Sequence, residues 1–225
     1  MIKANGIGYN PTKGFWVALL TKLTAPLKIS FVVGSYAAFF SLSHCLIPLI
    51  GAYTNMPVVL AFGLLSMLMR YAFGTLVGFK IAAFYLPGMV AGLAWIKEYR
   101  AVQLLVPALC MALFIAHPVG GAAWAYTLYW LIPMIIYSSN RQSLFAQALA
   151  STLVAHAVGA TIWLYADPMN PAVWLGLIPV VAYERVLFAV GMTATHMALS
   201  QLGNRLQWTR AITIEGRSAA EELRY

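Results

Sequence analysis

Charge is what this sequence has least of. Only 9% of its 225 residues are Asp, Glu, Lys or Arg, against about 25% in a soluble domain, while 62% are hydrophobic. So little polar surface cannot cover a water-soluble globule, which excludes soluble enzymes, nucleic-acid-binding domains and disordered scaffolds. Acidic residues are the scarcest, six against fourteen Lys and Arg, for a net charge of +8. Cysteine is almost missing: Cys45 and Cys110 both sit inside apolar runs, which excludes a disulfide framework and any CxxC redox or metal motif. No Gly-x-x-x-x-Gly-Lys-[Ser/Thr] occurs either, so any ATP chemistry must come from another chain.

What is present is a series of long apolar runs. About 20 apolar residues carry a helix across about 30 Å of hydrocarbon. That ruler predicts spans over Ile29 to Ile50, Ala72 to Ile96, Ala101 to Ala116, Gly121 to Tyr137, Leu144 to Tyr165 and Ala172 to Leu202, each bounded by charge, glycine or proline. The expected fold is therefore all-α, a polytopic membrane bundle of about six transmembrane helices. Lys and Arg are retained near the cytoplasmic side. With the lysine-bearing N-terminal tail inside, Lys97, Arg100, Arg141 and the C-terminal arginines also fall inside, and the outer connections contain only Arg70 among basic residues. Both termini are expected to be cytoplasmic, in a bacterial inner (plasma) membrane, with the basic residues facing anionic lipid.

Three segments follow: a tail over 1–28, the membrane domain over 29–202 and a basic tail over 203–225. In the first, Phe15, Leu19, Leu20 and Leu23 recur at helical spacing between Lys13, Lys22 and Lys28, the pattern of a helix lying in the inner interface. Residues 57–71 are apolar but short for a crossing. They read as a lid on the outer face, because a crossing there would move Lys97 and Arg100 outside unless another short helix intervened.

Ionisable groups within a bilayer cost about 2.5 to 3.5 kcal/mol each on insertion scales, so each should face a partner or a site. Lys80, Glu184 and Arg185 are the interior charges. Glu184 and Arg185 diverge by about 100° on a helix, so they are not expected to pair cleanly with each other, and at least one is expected to find a partner on another helix, Lys80 being one candidate for Glu184. Pro179, just before them, is the expected site of a kink. His44, His117, His156 and His196 fall in or beside four different spans. That spread invites a haem or electron-transfer reading, but no HxxxH or His-x-x-Glu spacing supports a metal site.

Aromatic residues concentrate after the His117-Pro118-Val119-Gly120-Gly121 turn, where Trp124, Tyr126 and Trp130 follow in quick succession. Trp163, Tyr165 and Trp174 share their depth and suit an interfacial belt. Aromatic walls with a few polar groups also bind small flat molecules, and His156 and Glu184 are the nearest polar groups. In the first span, Gly34-x-x-x-Ala38 and Ala37-x-x-x-Ser41 place small residues four apart, which lets two helices touch backbones in lipid.

With its small-residue first helix, long connection over 51–71 and aromatic, glycine-rich outer ends of the last three helices, residues 29–202 resemble the substrate-binding S-component of energy-coupling-factor vitamin transporters. The resemblance implies a non-enzymatic subunit that captures a small, aromatic or heterocyclic, vitamin-like metabolite without a resident cofactor. It further implies partnership with a transmembrane coupling protein and ATPase subunits. On the family's pattern Gly34, Ala38 and Ser41 would dock that partner, and Trp124, Tyr126, Trp130, His156, Trp163 and Glu184 would line the pocket. The competing readings are a haem-binding or electron-transfer subunit using the histidines, an intramembrane enzyme built on Glu184, Arg185 and His156, and a ligand-free accessory subunit.

Overall fold

The computed structural model describes residues 9–27, 43–74, 78–139, 143–166 and 169–222, with the side chains of Cys45, Lys80 and residues 203–222 also left aside. Every regular element among them is helical. Three helices are long and apolar enough to cross a membrane, Lys97–Ala116, Leu144–Ala166 and Ile178–Leu202, and two shorter apolar ones, Met56–Ala72 and Ile81–Leu93, accompany them.

The centre of the bundle is α9, Leu144–Ala166. It packs against α5 (Phe79–Leu93), α6 (Val102–Ala116), α8 (Leu131–Ser138) and α11 (Ile178–Glu222). Ala148, Ala150, Ala157 and Ala160 are buried along it, and side chains this small let neighbours approach closely where packing replaces the hydrophobic effect. One end of the bundle is tied together by the Ala94 carbonyl. Left without an intrahelical partner at the C-terminus of α5, it accepts hydrogen bonds from Gln103 Nε2 at 3.1 Å and Gln147 Nε2 at 2.8 Å. Tyr53 lies at this near end too, with its hydroxyl 2.6 Å from His196 Nδ1. The far end carries the Phe79–Trp163 and His117–Tyr165 ring contacts.

Those contacts fix the direction of each stroke. The short helices α2 (Ser43–Leu46) and α3 (Ile50–Tyr53), joined by a 3-10 turn over Ile47–Leu49, run parallel to α5: His44 meets Phe84, Ile47 meets Gly88, and Gly51 meets Gly92. A Cβ on Gly51 would collide with the Gly92 carbonyl, so this crossing requires glycine at position 51. The helix α4, Met56–Ala72, starts at the near end under an Asn55 cap and runs antiparallel to α5. Val59 faces Gly92, Gly63 faces Met89, and Arg70 Nε donates to Tyr85 Oη at 3.2 Å. Seventeen helical residues rise about 26 Å.

Residues 57–71 therefore do not close over the outer face. They line the bundle from end to end, and the 53–55 turn lies with His196 at the end expected to be inner. The short helix α1 (Pro11–Leu23) packs against α2 and α3. It does not lie apart as an interfacial tail: Asn10 N donates to Tyr53 O at 2.8 Å, Val17 is fully buried in the core, and Lys22 Nζ reaches Ser66 Oγ at 3.1 Å. The face it buries is Gly14, Val17 and Thr21, whereas Phe15, Leu19 and Leu23 of the predicted apolar spacing are exposed on the other side. The predicted small-residue face of Gly34, Ala38 and Ser41 falls outside the described residues.

Candidate functional site

A cavity of about 350 Å³ lies in the far half of the bundle, between α2, α5, α9 and α11, with Tyr126 and Trp174 closing one side. Helical periodicity explains how it forms. On α9, His156, Gly159, Ala160 and Trp163 share one face at spacings of three and four, and the two small residues leave room between the two rings. Opposite them α5 presents Ala83, Phe84, Pro87 and Gly88. On α11, Val181, Glu184, Arg185 and Phe188 repeat the same spacing.

The break before α11 decides what points inward. Asn170 caps the short helix α10 (Pro171–Gly176), accepting from Ala172 N at 2.8 Å, and α11 begins two residues later with Pro179 in its first turn. Pro179 thus starts a helix, where proline is well tolerated, and does not kink one. Glu184 and Arg185 occupy the second turn. The α10 break also swings Trp174 out of the aromatic belt and into the core, where it is 2% exposed.

Phe114, fully buried, joins the aromatic wall: its ring stacks on Tyr126 at 5.6 Å and meets Trp130 and Trp174 edge-on at 5.3 and 5.2 Å. Edge-to-face rings at such separations are attractive beyond their area. His156 connects this wall to the cavity. Its Nδ1 lies 3.0 Å from Trp130 Nε1 and its Nε2 lies 2.8 Å from Tyr126 Oη. Indole N–H only donates, so Nδ1 accepts, the ring is neutral, and the Nε2 proton is given to Tyr126. With both ring nitrogens engaged, His156 offers no lone pair to a haem iron.

Of the expected pocket residues, Tyr126, His156, Trp163 and Glu184 do line one cavity. Trp130 stands behind His156, fully buried, and orients it. Trp124 turns outward and is 55% exposed. Among the lining residues not assigned to the pocket from sequence are Trp174, which read as belt; His44, whose ring lies 6.0 Å from Phe84; and Arg185. The i, i+3, i+4 pattern through Val181, Glu184, Arg185 and Phe188 was the available signal.

Glu184 and Arg185 correct one expectation, because they pair with each other, while Arg185 Nη1 also donates to Thr152 O on α9 at 3.5 Å, the expected partner on another helix. Arg185 Nη2 donates to Glu184 Oε2 at 3.2 Å, both side chains being 8% exposed. The 100° divergence of neighbouring positions is overcome by the length of the arginine side chain, which bends back while its guanidinium lies 4.6 Å from the Phe188 ring centroid. A pairing of Glu184 with Lys80 falls on a side chain outside the described residues. The remaining histidines have local roles: His117 Nδ1 accepts from Val119 N at 3.3 Å to cap a short helix, and His196 stacks on Tyr53 with centroids 5.4 Å apart. Among the described residues, no three His, Cys, Asp or Glu side chains gather as a metal site.

Chemically, the cavity combines flat aromatic walls with a neutral imidazole, a phenol and an ion pair whose charges cancel. That is equipment for binding and orienting a small molecule. No protein-family model, curated protein or solved structure matches this chain, so the meaning of the site rests on its own geometry.

Proposed function

We propose that this chain is a membrane-embedded binding subunit for a small aromatic or heterocyclic metabolite, vitamin-like in size. It captures that metabolite at the far face for uptake and depends on a separate ATPase, joined through a transmembrane coupling protein. The observation that carries the reading is the cavity itself: about 350 Å³, at the lower end of the range of roughly 300 to 1,000 Å³ typical of ligand pockets. It is walled by Trp163, Trp174 and Phe84 and furnished with Tyr126, His156, Glu184 and Arg185. A purely structural bundle gains nothing from a void of this size beside a buried ion pair, since empty volume destabilises. The subunit catalyses no reaction and needs no cofactor.

In this reading the near end is cytoplasmic in a bacterial plasma membrane, with both termini on that side. Lys13, Lys97 and Arg100 lie there, against Arg70 and Lys22 towards the other. With α1 and α4 added to the six expected spans, the first of which ends in the 43–53 stroke, the number of passes stays even. Gly34, Ala38 and Ser41 are the proposed contact for the coupling protein.

Uptake into vesicles tests the proposal. The compound that co-purifies with the chain, supplied in labelled form, should accumulate only when the chain, its ATPase partner and ATP are all present. Accumulation that ignores the chain, or binding with no ATP-dependent uptake in the native membrane, would contradict it.

A further inference from the structure

The cavity's hydrogen-bonding inventory narrows what can occupy it. Because His156 Nε2 donates to Tyr126 Oη, the tyrosine accepts in that bond and keeps its own proton to give. Trp174 Nε1, a second donor in the same wall, has no hydrogen-bond partner among the described residues, although the residue is 2% exposed. Glu184 offers the converse. Its Oε2 takes Arg185, while Oε1 has no partner among the described residues, and the residue is 6% exposed. Buried groups of this kind are almost always satisfied in a working protein, and all three side chains line the cavity. Charge is the second constraint. Glu184 and Arg185 neutralise one another, so an ionic ligand would enter a low-dielectric space in which no other described lining residue carries a charge to balance it.

We propose that the cavity takes an uncharged, flat heterocycle with an N–H donor beside a carbonyl or ring-nitrogen acceptor, the chemistry of cyclic amides, imides and ureides. This rests on the reading of the cavity as a binding site. The N–H donates to Glu184, the acceptor receives Tyr126 Oη–H or Trp174 Nε1–H, and Trp163 and Phe84 supply flat contact. One or two fused rings suit the volume.

Four bicyclic probes of matched shape test it on the purified full-length chain, read by quenching of tryptophan fluorescence and by calorimetry: 2-quinolone, N-methyl-2-quinolone, the N-methylquinolinium cation and quinoline-2-carboxylate. The 2-quinolone should bind at least about tenfold more tightly than its N-methyl analogue, since a site built for a donor rejects the analogue lacking it, and more tightly than either ion. Tyr126→Phe should weaken 2-quinolone several-fold in protein that still unfolds cooperatively. Glu184→Gln, where it folds, should shift preference towards quinoline-2-carboxylate because the Arg185 charge is uncovered. Equal binding of the N-methyl analogue, tighter binding of an ion, or no effect of Tyr126→Phe would overturn the ligand class and leave a binding cavity standing. Failure of all four probes to bind ligand-free protein would overturn both.

Discussion

At the scale of single residues, the site turns on who orients whom. Trp130 touches no cavity space, yet its Nε1–H sets the tautomer of His156 and through it the free proton of Tyr126. Trp130→Phe keeps most of the buried ring and removes the donor. It should lower ligand affinity several-fold with a small loss of stability, whereas Trp130→Ala should cost about 3 to 5 kcal/mol of folding stability. Thermal unfolding in detergent beside ligand titration checks both, and an unchanged affinity in Trp130→Phe would reduce Trp130 to packing. The Glu184–Arg185 pair makes a second prediction. Arg185→Met strands a buried carboxylate and should cost roughly 3 to 5 kcal/mol, while adding Glu184→Gln should restore most of that loss. A double variant no more stable than the single one would show that the pair's burial is not what couples them.

At the scale of elements, Gly51 against Gly92 is the tightest of the contacts between the 43–53 stroke and α5 described above. Gly51→Val forces the backbones apart and should destabilise by about 1 to 3 kcal/mol; an unchanged unfolding temperature would show that the crossing relaxes freely. The course of α4 can be read directly. In a cysteine-free background, Asn55→Cys and Phe73→Cys should react with a membrane-impermeant maleimide from opposite faces, and labelling from one face alone would return 57–71 to the role of a lid. How much of this was legible in the sequence varied with the physics behind each feature. The helical class and the spans around α6, α9 and α11 followed from length and hydropathy, which are local. The way α1 and α4 join the bundle did not, because both are short, and whether a short apolar helix lies flat or stands upright depends on contacts such as Val17 and Gly63 that exist only once the chain is folded. Likewise Tyr126, His156, Trp163 and Glu184 could be grouped by depth. Trp174 could not, since its inward turn depends on the break between α10 and α11, and Arg185 was set apart by an angular argument that ignored its reach.

At the scale of the whole molecule, the bundle has a tied end and a furnished end. Gln103 and Gln147 clamp Ala94 at the near end, and Tyr53 holds His196 there. The far half keeps a void that small residues on α5 and α9 leave open between the larger side chains. A molecule arranged this way is cross-tied at one end and hollow at the other. The central claim is that the hollow is a binding site. The direct measurement is a native mass spectrum of the chain purified in mild detergent from its own membrane, alongside Gly159→Leu. A Cβ at that position meets Pro87 at 3.4 Å, an ordinary contact, so the added side chain enters the cavity without breaking the helix. The account predicts a small-molecule adduct on the unaltered chain and its loss from a folded Gly159→Leu variant. An adduct that survives in the filled variant, or none on the unaltered chain, would contradict it.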